Sequence, residues 1–232
     1  MNAPKDRGLV IAIDGPSGVG KTTVSRRVAE RLGLRYVDTG AMYRSLAVAA
    51  NDAGIDVESD GALRAYCARV SVGYDASGNM LLGGVDYSGR IRTEEAGALA
   101  SITSAKTPVR DFLVACQRRL GEGGGVVMEG RDIGTVVFPD ADVKIFLDAS
   151  HDVRAGRRGK ELADKGGPST DVSRKIAERD RRDTERKNSP LVAAPDAVVI
   201  DTGSLGIDGV VARVLEAVRG RAGKAARGVD NG

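Results

Sequence analysis

The stretch Gly15-Pro16-Ser17-Gly18-Val19-Gly20-Lys21-Thr22-Thr23 constrains this chain more than any other. It fits G-x-x-x-x-G-K-[ST], the loop whose backbone cradles nucleotide phosphates. Its flanks fit as well. Leu9-Val10-Ile11-Ala12-Ile13 is a short apolar run that reads as a buried parallel strand. After the loop, Val24, Val28, Ala29 and Leu32 recur at helical spacing, and Gly33 supplies a stop. Strand, glycine loop and helix together aim N–H groups and a helix N-terminus at an anion. A plain glycine turn would account for the strand and the helix but not for Lys21-Thr22 between them.

At 232 residues the chain has room for one well-buried domain with insertions, or for two small domains. Trp is absent and aromatics are scarce, so base stacking on aromatic platforms is poorly supported. A net charge of +3 is too small to imply nucleic-acid binding. Cys67 and Cys116 stand at no metal-ligand or redox spacing and read as reduced core thiols. His151 is the single histidine, which excludes His-clustered metal sites and disfavours a hydrolase triad; it reads as a surface residue near a helix start. No run approaches membrane-spanning length, and the N-terminus lacks a signal-like apolar region.

Taken in order, Arg35-Tyr36-Val37 is a second strand running into Asp38-Thr39-Gly40, followed by a helix over 41–53. Thr39 and Arg44 therefore fall just past a strand end, where open parallel sheets bind ligands; a helix cap is an equal reading of Thr39. A helix over 59–69 gives way to alternation at Val70–Asp75, a turn at Ala76-Ser77-Gly78-Asn79 and a partner strand at Met80–Leu82. A further short strand covers 85–87, and helices follow over 93–106 and, opened by Pro108, over 109–120. Val126–Glu129 is a buried strand ending in Gly130-Arg131-Asp132-Ile133-Gly134-Thr135, again at the ligand edge. Strands at 143–148 and 197–201 bring the parallel set to five, and a helix over 206–218 closes the chain before a Gly-, Ala- and Arg-rich tail.

Between the last two strands lies a basic stretch that includes Arg154, Arg157, Arg158, Lys160, Lys165, Arg174, Arg179, Arg181, Arg182 and Arg186. Asp180, Asp183 and Glu185 are interleaved, so a solvated helical face and a phosphate-gripping flap hinged at Gly166-Gly167-Pro168 stand as equal readings.

P-loop proteins divide into switches, motors and kinases. No Asn-Lys pair exists for reading guanine, and a motor brings a larger chain. A small-molecule kinase needs an acceptor pocket and a lid that excludes water, which the insert and the arginine-rich stretch can supply. Unit charges about 4 Å apart interact by roughly 4 kcal/mol at an effective dielectric near 20. Bringing two phosphates together therefore demands cations, and guanidinium forks suit them. A phosphate acceptor with second pKa about 6 also needs no strong general base. The arginine excess leans toward such an acceptor.

Several segments then resemble the bacterial cytidylate kinase family, in the same order and spacing. They are Gly-Pro-Ser-Gly-x-Gly-Lys, Asp38-Thr39-Gly40-Ala41-Met42-Tyr43-Arg44, Gly130-Arg131-Asp132-Ile133-Gly134-Thr135-Val136-Val137-Phe138-Pro139, Lys144-Ile145-Phe146-Leu147-Asp148-Ala149 and Glu178-Arg179-Asp180-Arg181-Arg182-Asp183. The resemblance spans roughly Val10 to Arg219. It implies an α/β P-loop kinase core on a five-stranded parallel sheet with helices on both faces. A small antiparallel β insert over 63–104 and an arginine-rich helical lid over 151–187 complete a single domain over 7–220, with a disordered tail over 221–232.

The implied reaction takes ATP and CMP or dCMP to ADP and CDP or dCDP, with magnesium. By position, Gly15 through Thr23 hold the donor, with Lys21 on its phosphates, Thr22 on magnesium and Arg157 on the donor side. Arg44 and Arg131 match acceptor-phosphate ligands, and Arg186 a lid arginine at the transferring phosphoryl group. Ser101, Arg110 and Asp132 match cytosine-reading positions, Arg182 and Asp183 ribose-contacting ones, and Thr39 a substrate contact. The chemistry agrees for the base: a carboxylate accepts from the cytosine amino group, while Arg110 and Ser101 donate to its acceptors. Read without the resemblance, Asp132 is a helix cap and Arg110 a surface charge. Many nucleoside monophosphate kinases carry Gly directly after the loop lysine; here Thr22 follows, at the general P-loop metal position. The expected protein is a cytoplasmic monomer with nucleotide substrates and neither nucleic-acid nor membrane partners. A kinase of UMP or of a small hydroxyl acceptor, or a nucleic-acid-stimulated NTPase, remain the alternatives.

Overall fold

Every residue of Val10–Asp14, the first strand β1, is buried, which matches an unbroken apolar run with a sheet partner on each side. The structure is a computed structural model, described over residues 7–75, 79–164 and 171–227. Chain order gives α1 (Lys21–Leu32), β2 (Arg35–Asp38), α2 (Thr39–Asp52), α3 (Asp60–Cys67), β3 (Val72–Tyr74), β4 (Met80–Leu82), β5 (Val85–Asp86), α4 (Glu94–Thr103) and α5 (Thr107–Gly121). It continues with β6 (Val126–Gly130), a π-helical turn (Ile133–Val137), β7 (Val143–Asp148), α6 (His151–Asp164), α7 (Val172–Glu185), β8 (Val198–Asp201) and α8 (Ile207–Arg227).

The large sheet has the order β2-β6-β1-β7-β8. β1 pairs in parallel with β6 on one side and β7 on the other, and β8 continues in parallel beyond β7. This is the α/β sheet expected from the sequence. With β1 central, its neighbours are strands reached later in the chain on either side, the arrangement that opens a crevice at the carboxyl ends. The register places Asp14 opposite Gly130, so the P-loop and the Arg131-Asp132 turn leave the sheet side by side.

The chain divides into two compact units, Met1–Val37 with Gly121–Gly232, and Asp38–Leu120. In the first, Ile11, Ile13, Val24, Val28, Ile145, Leu147, Val210, Val211 and Val214 form one core, which brings α1 and α8 onto the sheet. In the second, α2 packs against α4, and Val48, Ile91 and Ala96 form a small cluster with Ala41 and Tyr87 against it. The sheet β3-β4-β5 is antiparallel, as the alternating pattern predicts. Cys67 and Cys116 are free and buried, and burial pushes the Cys67 thiol up to about 11.

Several boundaries differ from the sequence reading. The segment after β6 is wound into a π-turn, with Val137 N–H donating to Asp132 O and Phe138 N–H to Ile133 O, five residues back in each case. The closing helix runs on to Arg227, past Val218. The expected turn at Ala76-Ser77-Gly78, the break at Gly166-Gly167-Pro168 with Lys165, and the last five residues of the tail lie outside the described residues.

Candidate active site

The P-loop follows β1 directly. Gly15, Gly18 and Gly20 have φ of 150°, 77° and 94°, angles that side chains disfavour. At Gly15 a Cβ would stand 2.1 Å from Leu147 O of β7. The loop ends at Gly20, the N-cap of α1, which provides no side-chain cap, and the first turn of α1 carries no acidic residue. That leaves the dipole end of a twelve-residue helix for an anion.

Lys21 is buried and folds back over the loop, its Nζ donating to Gly15 O at 2.8 Å and Pro16 O at 2.7 Å. Burial lowers its pKa well below the ordinary lysine value, and the Arg131 and Arg179 guanidinium groups push the same way. Glu129 and Asp14 partly offset them. Thr22 and Thr23 are exposed in the first turn of α1.

Asp14, the last residue of β1, accepts from Ile133 N–H at 2.9 Å and Gly134 N–H at 2.8 Å. One buried carboxylate thus fastens the root of the P-loop to the π-turn that follows Asp132. Burial raises its pKa to about 6 against the pull of those two N–H groups, and the Asp132 charge adds to the rise. Glu129 of β6 is buried and accepts a hydrogen bond from Tyr36 Oη. The sequence gives no hint of either role, because both carboxylates end apolar strands and find their partners far along the chain.

Arg131 donates through Nε to Asp183 Oδ2 at 2.8 Å. Arg186 follows α7, and its Nη2 lies 3.9 Å from Asp132 Oδ1. Arg131, Asp132, Asp183 and Arg186 are therefore brought together. Arg182 is not. It is exposed, and its Nε donates to Glu178 O of its own helix at 3.3 Å. Arg179, one turn earlier, acts on Lys21 and Asp183 instead. Along α7, Arg179 and Asp183 lie on the inner face and Arg182 on the outer one.

Arg157 is held at Thr202. Its Nη1 donates to Thr202 Oγ1 at 2.9 Å and its Nη2 to Thr202 O at 2.6 Å, while Thr202 Oγ1 donates to Val19 O at 3.2 Å. Arg158 pairs with Glu161 on α6 at 2.8 Å.

In the second unit, the helix cap is Asp38 rather than Thr39. The Asp38 carboxylate accepts from Ala41 N–H at 2.8 Å, and Thr39 is buried as the first helical residue. Asp38 also pairs with Arg44 at 3.3 Å. A Cβ on Gly40 would stand 2.9 Å from Arg44 Nη1, so glycine makes room for that guanidinium. Ser101 is buried on α4, and its Oγ has no hydrogen-bond partner among the described residues. Arg110 is buried on α5, its guanidinium 5.8 Å from the Tyr43 ring centroid, so it is no surface charge. Asp132 sits at the N-cap position of the π-turn but makes no side-chain cap hydrogen bond.

Among the described residues no helix is long and apolar enough to cross a membrane, and no three or more His, Cys, Asp or Glu side chains gather as a metal site.

A strand–P-loop–helix seat at the carboxyl edge of a parallel sheet, with a buried Lys and half-buried Arg side chains beside it, defines a P-loop phosphotransferase. The family model for cytidylate kinase matches residues 11–220. The cytidylate kinase of Citrifermentans bemidjiense is 44% identical over 233 residues, covering 98% of this chain and 100% of that protein. That of Methylococcus capsulatus is 50% identical over 217 residues, covering 90% of this chain and 96% of that protein. That of Geobacillus kaustophilus is 47% identical over 222 residues, with 94% and 99% covered. The chain belongs to the cytidylate kinase family.

Proposed function

We propose that this chain transfers the γ-phosphoryl group of ATP to CMP or dCMP, giving ADP and CDP or dCDP. The observation that carries the reading is buried Lys21 at the mouth of an uncapped P-loop helix, with half-buried Arg131 and Arg179 acting on its charge. Such a cluster suits two phosphate groups that repel each other until cations intervene.

Lys21 would exchange the Gly15 and Pro16 carbonyls for the donor β- and γ-phosphate oxygens. Arg44 and Arg131 would hold the acceptor phosphate, and Arg179 and Arg186 the transferring group. Ser101, Arg110 and Asp132 would read cytosine, with Asp183 at the ribose and Thr39 supporting the acceptor. The orphaned Ser101 hydroxyl fits a donor waiting for a base carbonyl or ring nitrogen. Arg157 would act on the donor side by steadying the loop through Thr202. The helices α6 and α7 would serve as the water-excluding lid. No general base is required, since the acceptor monoester is already mostly ionised at neutral pH.

Thr22 would hold magnesium, offering one hard oxygen from an exposed first turn. Magnesium there would supply charge neutralisation on the donor phosphates.

A coupled ADP-release assay across CMP, dCMP, UMP, AMP, sugar and hydroxy-acid acceptors, RNA and DNA tests the reading. Turnover is expected with CMP and dCMP above all others. Preference for UMP or a hydroxyl acceptor, or hydrolysis driven by nucleic acid and indifferent to CMP, overturns it.

A further inference from the structure

A loop that turns its N–H groups toward an anion turns its carbonyls the other way, where each needs a donor. Here the donors to five of the loop carbonyls are identifiable. Gly15 O and Pro16 O accept from Lys21, Val19 O from Thr202, and Gly20 O from Val24 N–H. Ser17 O accepts from Arg154 Nη1 at 3.2 Å.

Arg154 is placed unlike a phosphate ligand. It is 7% exposed, in the first turn of α6, with Nε donating to Ala149 O at 3.0 Å. The same Nη1 that meets Ser17 also pairs with Asp180 Oδ2 on α7. Contact between loop and helix is tight, because a Cβ on Gly18 would stand 3.0 Å from Arg154 O and 3.2 Å from its Cβ. Asp180 follows Arg179 and precedes Asp183 by three, and those are the α7 residues that share the field of Lys21 and Arg131. A single guanidinium therefore joins a carbonyl of the P-loop to the helix that carries the rest of the charge cluster.

We infer that Arg154 and Asp180 form a brace that transmits occupancy of the P-loop to α7, making Arg154 a positioning residue rather than a donor ligand. The inference rests on the reading that the loop seats the donor phosphates. Drawing phosphate onto the N–H side fixes the orientation of the Ser17 peptide. That fixes Arg154, and through Asp180 it fixes the register of α7. Without the brace, the donor still binds, but Arg179 and Asp183 are no longer held for the transfer.

The test is amide hydrogen exchange on the full chain, with and without a non-hydrolysable ATP analogue and magnesium, in wild type, Asp180→Asn and Arg154→Lys. Asn keeps the shape of Asp180 without its charge, and Lys keeps the charge of Arg154 without the fork. In wild type the analogue is expected to slow exchange both in residues 15–23 and in α7, the latter by about tenfold, a common size for coupling between sites. In both variants loop protection persists while α7 protection falls below about twofold. The KM for ATP stays within about threefold while kcat falls about tenfold or more, as expected of misplaced rather than missing groups. Equal α7 protection in wild type and variants overturns the brace. So does joint loss of loop and α7 protection with a collapse of Tm in both variants, which would mark the pair as structural only. Because the analogue is a donor and no acceptor is present, failure of the CMP assignment shows in the acceptor screen and not here.

Discussion

Arg131 Nε donates to Asp183 Oδ2 at 2.8 Å, joining the residue after β6 to the inner face of α7. Burial alone would raise the Asp183 pKa, yet Arg131 and Arg179 outweigh it and hold the carboxyl below the usual range. The pair thus keeps a half-buried guanidinium oriented.

Asp183→Asn should remove that counter-charge while preserving size. Breaking one partner of a buried pair costs about 3–5 kcal/mol, and the Asn oxygen, still an acceptor, brings the loss toward about 3. The pH dependence has a definite sign. A folded pKa below the unfolded value gives stability that is present above about 3.9 and lost as pH falls through the folded value. Urea unfolding at pH 7 should show the full gap between wild type and variant, and the gap should close below about pH 4. A gap under about 1 kcal/mol at pH 7, or one that does not shrink in acid, would show that the pair contributes only as a surface bridge does.

Arg179 and Arg182 make opposite predictions from neighbouring turns of one helix. Arg179 lies in the field of Lys21 and Asp183, whereas Arg182 is exposed and bonded to its own helix. Arg179→Ala should lower kcat by about 10³ or more, the range for an arginine at a transferring phosphoryl group. Arg182→Ala should stay within about threefold, as exposed substitutions usually do. Steady-state turnover with saturating ATP and CMP decides between them, and the reverse order would restore Arg182 to the site.

That contrast marks where the sequence was legible and where it was not. The strand–loop–helix seat could be read directly, because the three loop glycines and Lys21 are required by local geometry alone. Ser101, Arg110, Arg131, Asp132 and Asp183 came from motif order, and each proves buried or partnered. The inner face of α7 was harder, since its arginines crowd every side of the helix. A signal was present: Val172 and Ile176 are buried, and continuing their helical spacing passes through Arg179 and Asp183 and misses Arg182. The clamp from Asp14 to Ile133 and Gly134 carried no such signal. It joins positions more than a hundred residues apart through backbone N–H groups, which any sequence possesses.

Asp14 offers a prediction on pH. Its folded pKa of about 6 lies above the ordinary 3.8, so its ionisation is disfavoured by the fold. The sign is opposite to that of Asp183: stability linked to this group is full below the unfolded value and is lost as pH rises through about 6. A rise from 3.8 to about 6 corresponds to about 3 kcal/mol. Asp14→Asn cannot ionise, though its amide donor opposes one of the two N–H groups, which adds a constant cost. The stability of the variant relative to wild type should therefore improve by about 2 kcal/mol between pH 4 and pH 7. Chemical denaturation across that range checks it, and a pH-independent difference would mean that Asp14 titrates as an ordinary surface carboxylate.

Gly15 and Gly33 separate backbone strain from steric exclusion. Both have positive φ, 150° and 64°, but a Cβ at Gly33 meets nothing within 4 Å while one at Gly15 stands 2.1 Å from Leu147 O. Gly33→Ala should cost only the left-handed penalty of about 1–2 kcal/mol and leave kinetics alone. Gly15→Ala meets the backbone of a central strand, which has no rotamer by which to yield, so the root of the P-loop must lift away from β7. That movement drags the Lys21 contact on Gly15 O with it and strains the adjoining Asp14 clamp. Titration with a fluorescent ATP analogue should then show donor affinity reduced by about a hundredfold, since a displacement near 1 Å in a positioning group carries a penalty of that order. Thermal unfolding of the two variants side by side supplies the control: Gly33→Ala destabilised with normal donor binding, Gly15→Ala impaired in both. Normal donor affinity in Gly15→Ala would show that the loop reaches its phosphate-binding form without lying against Leu147.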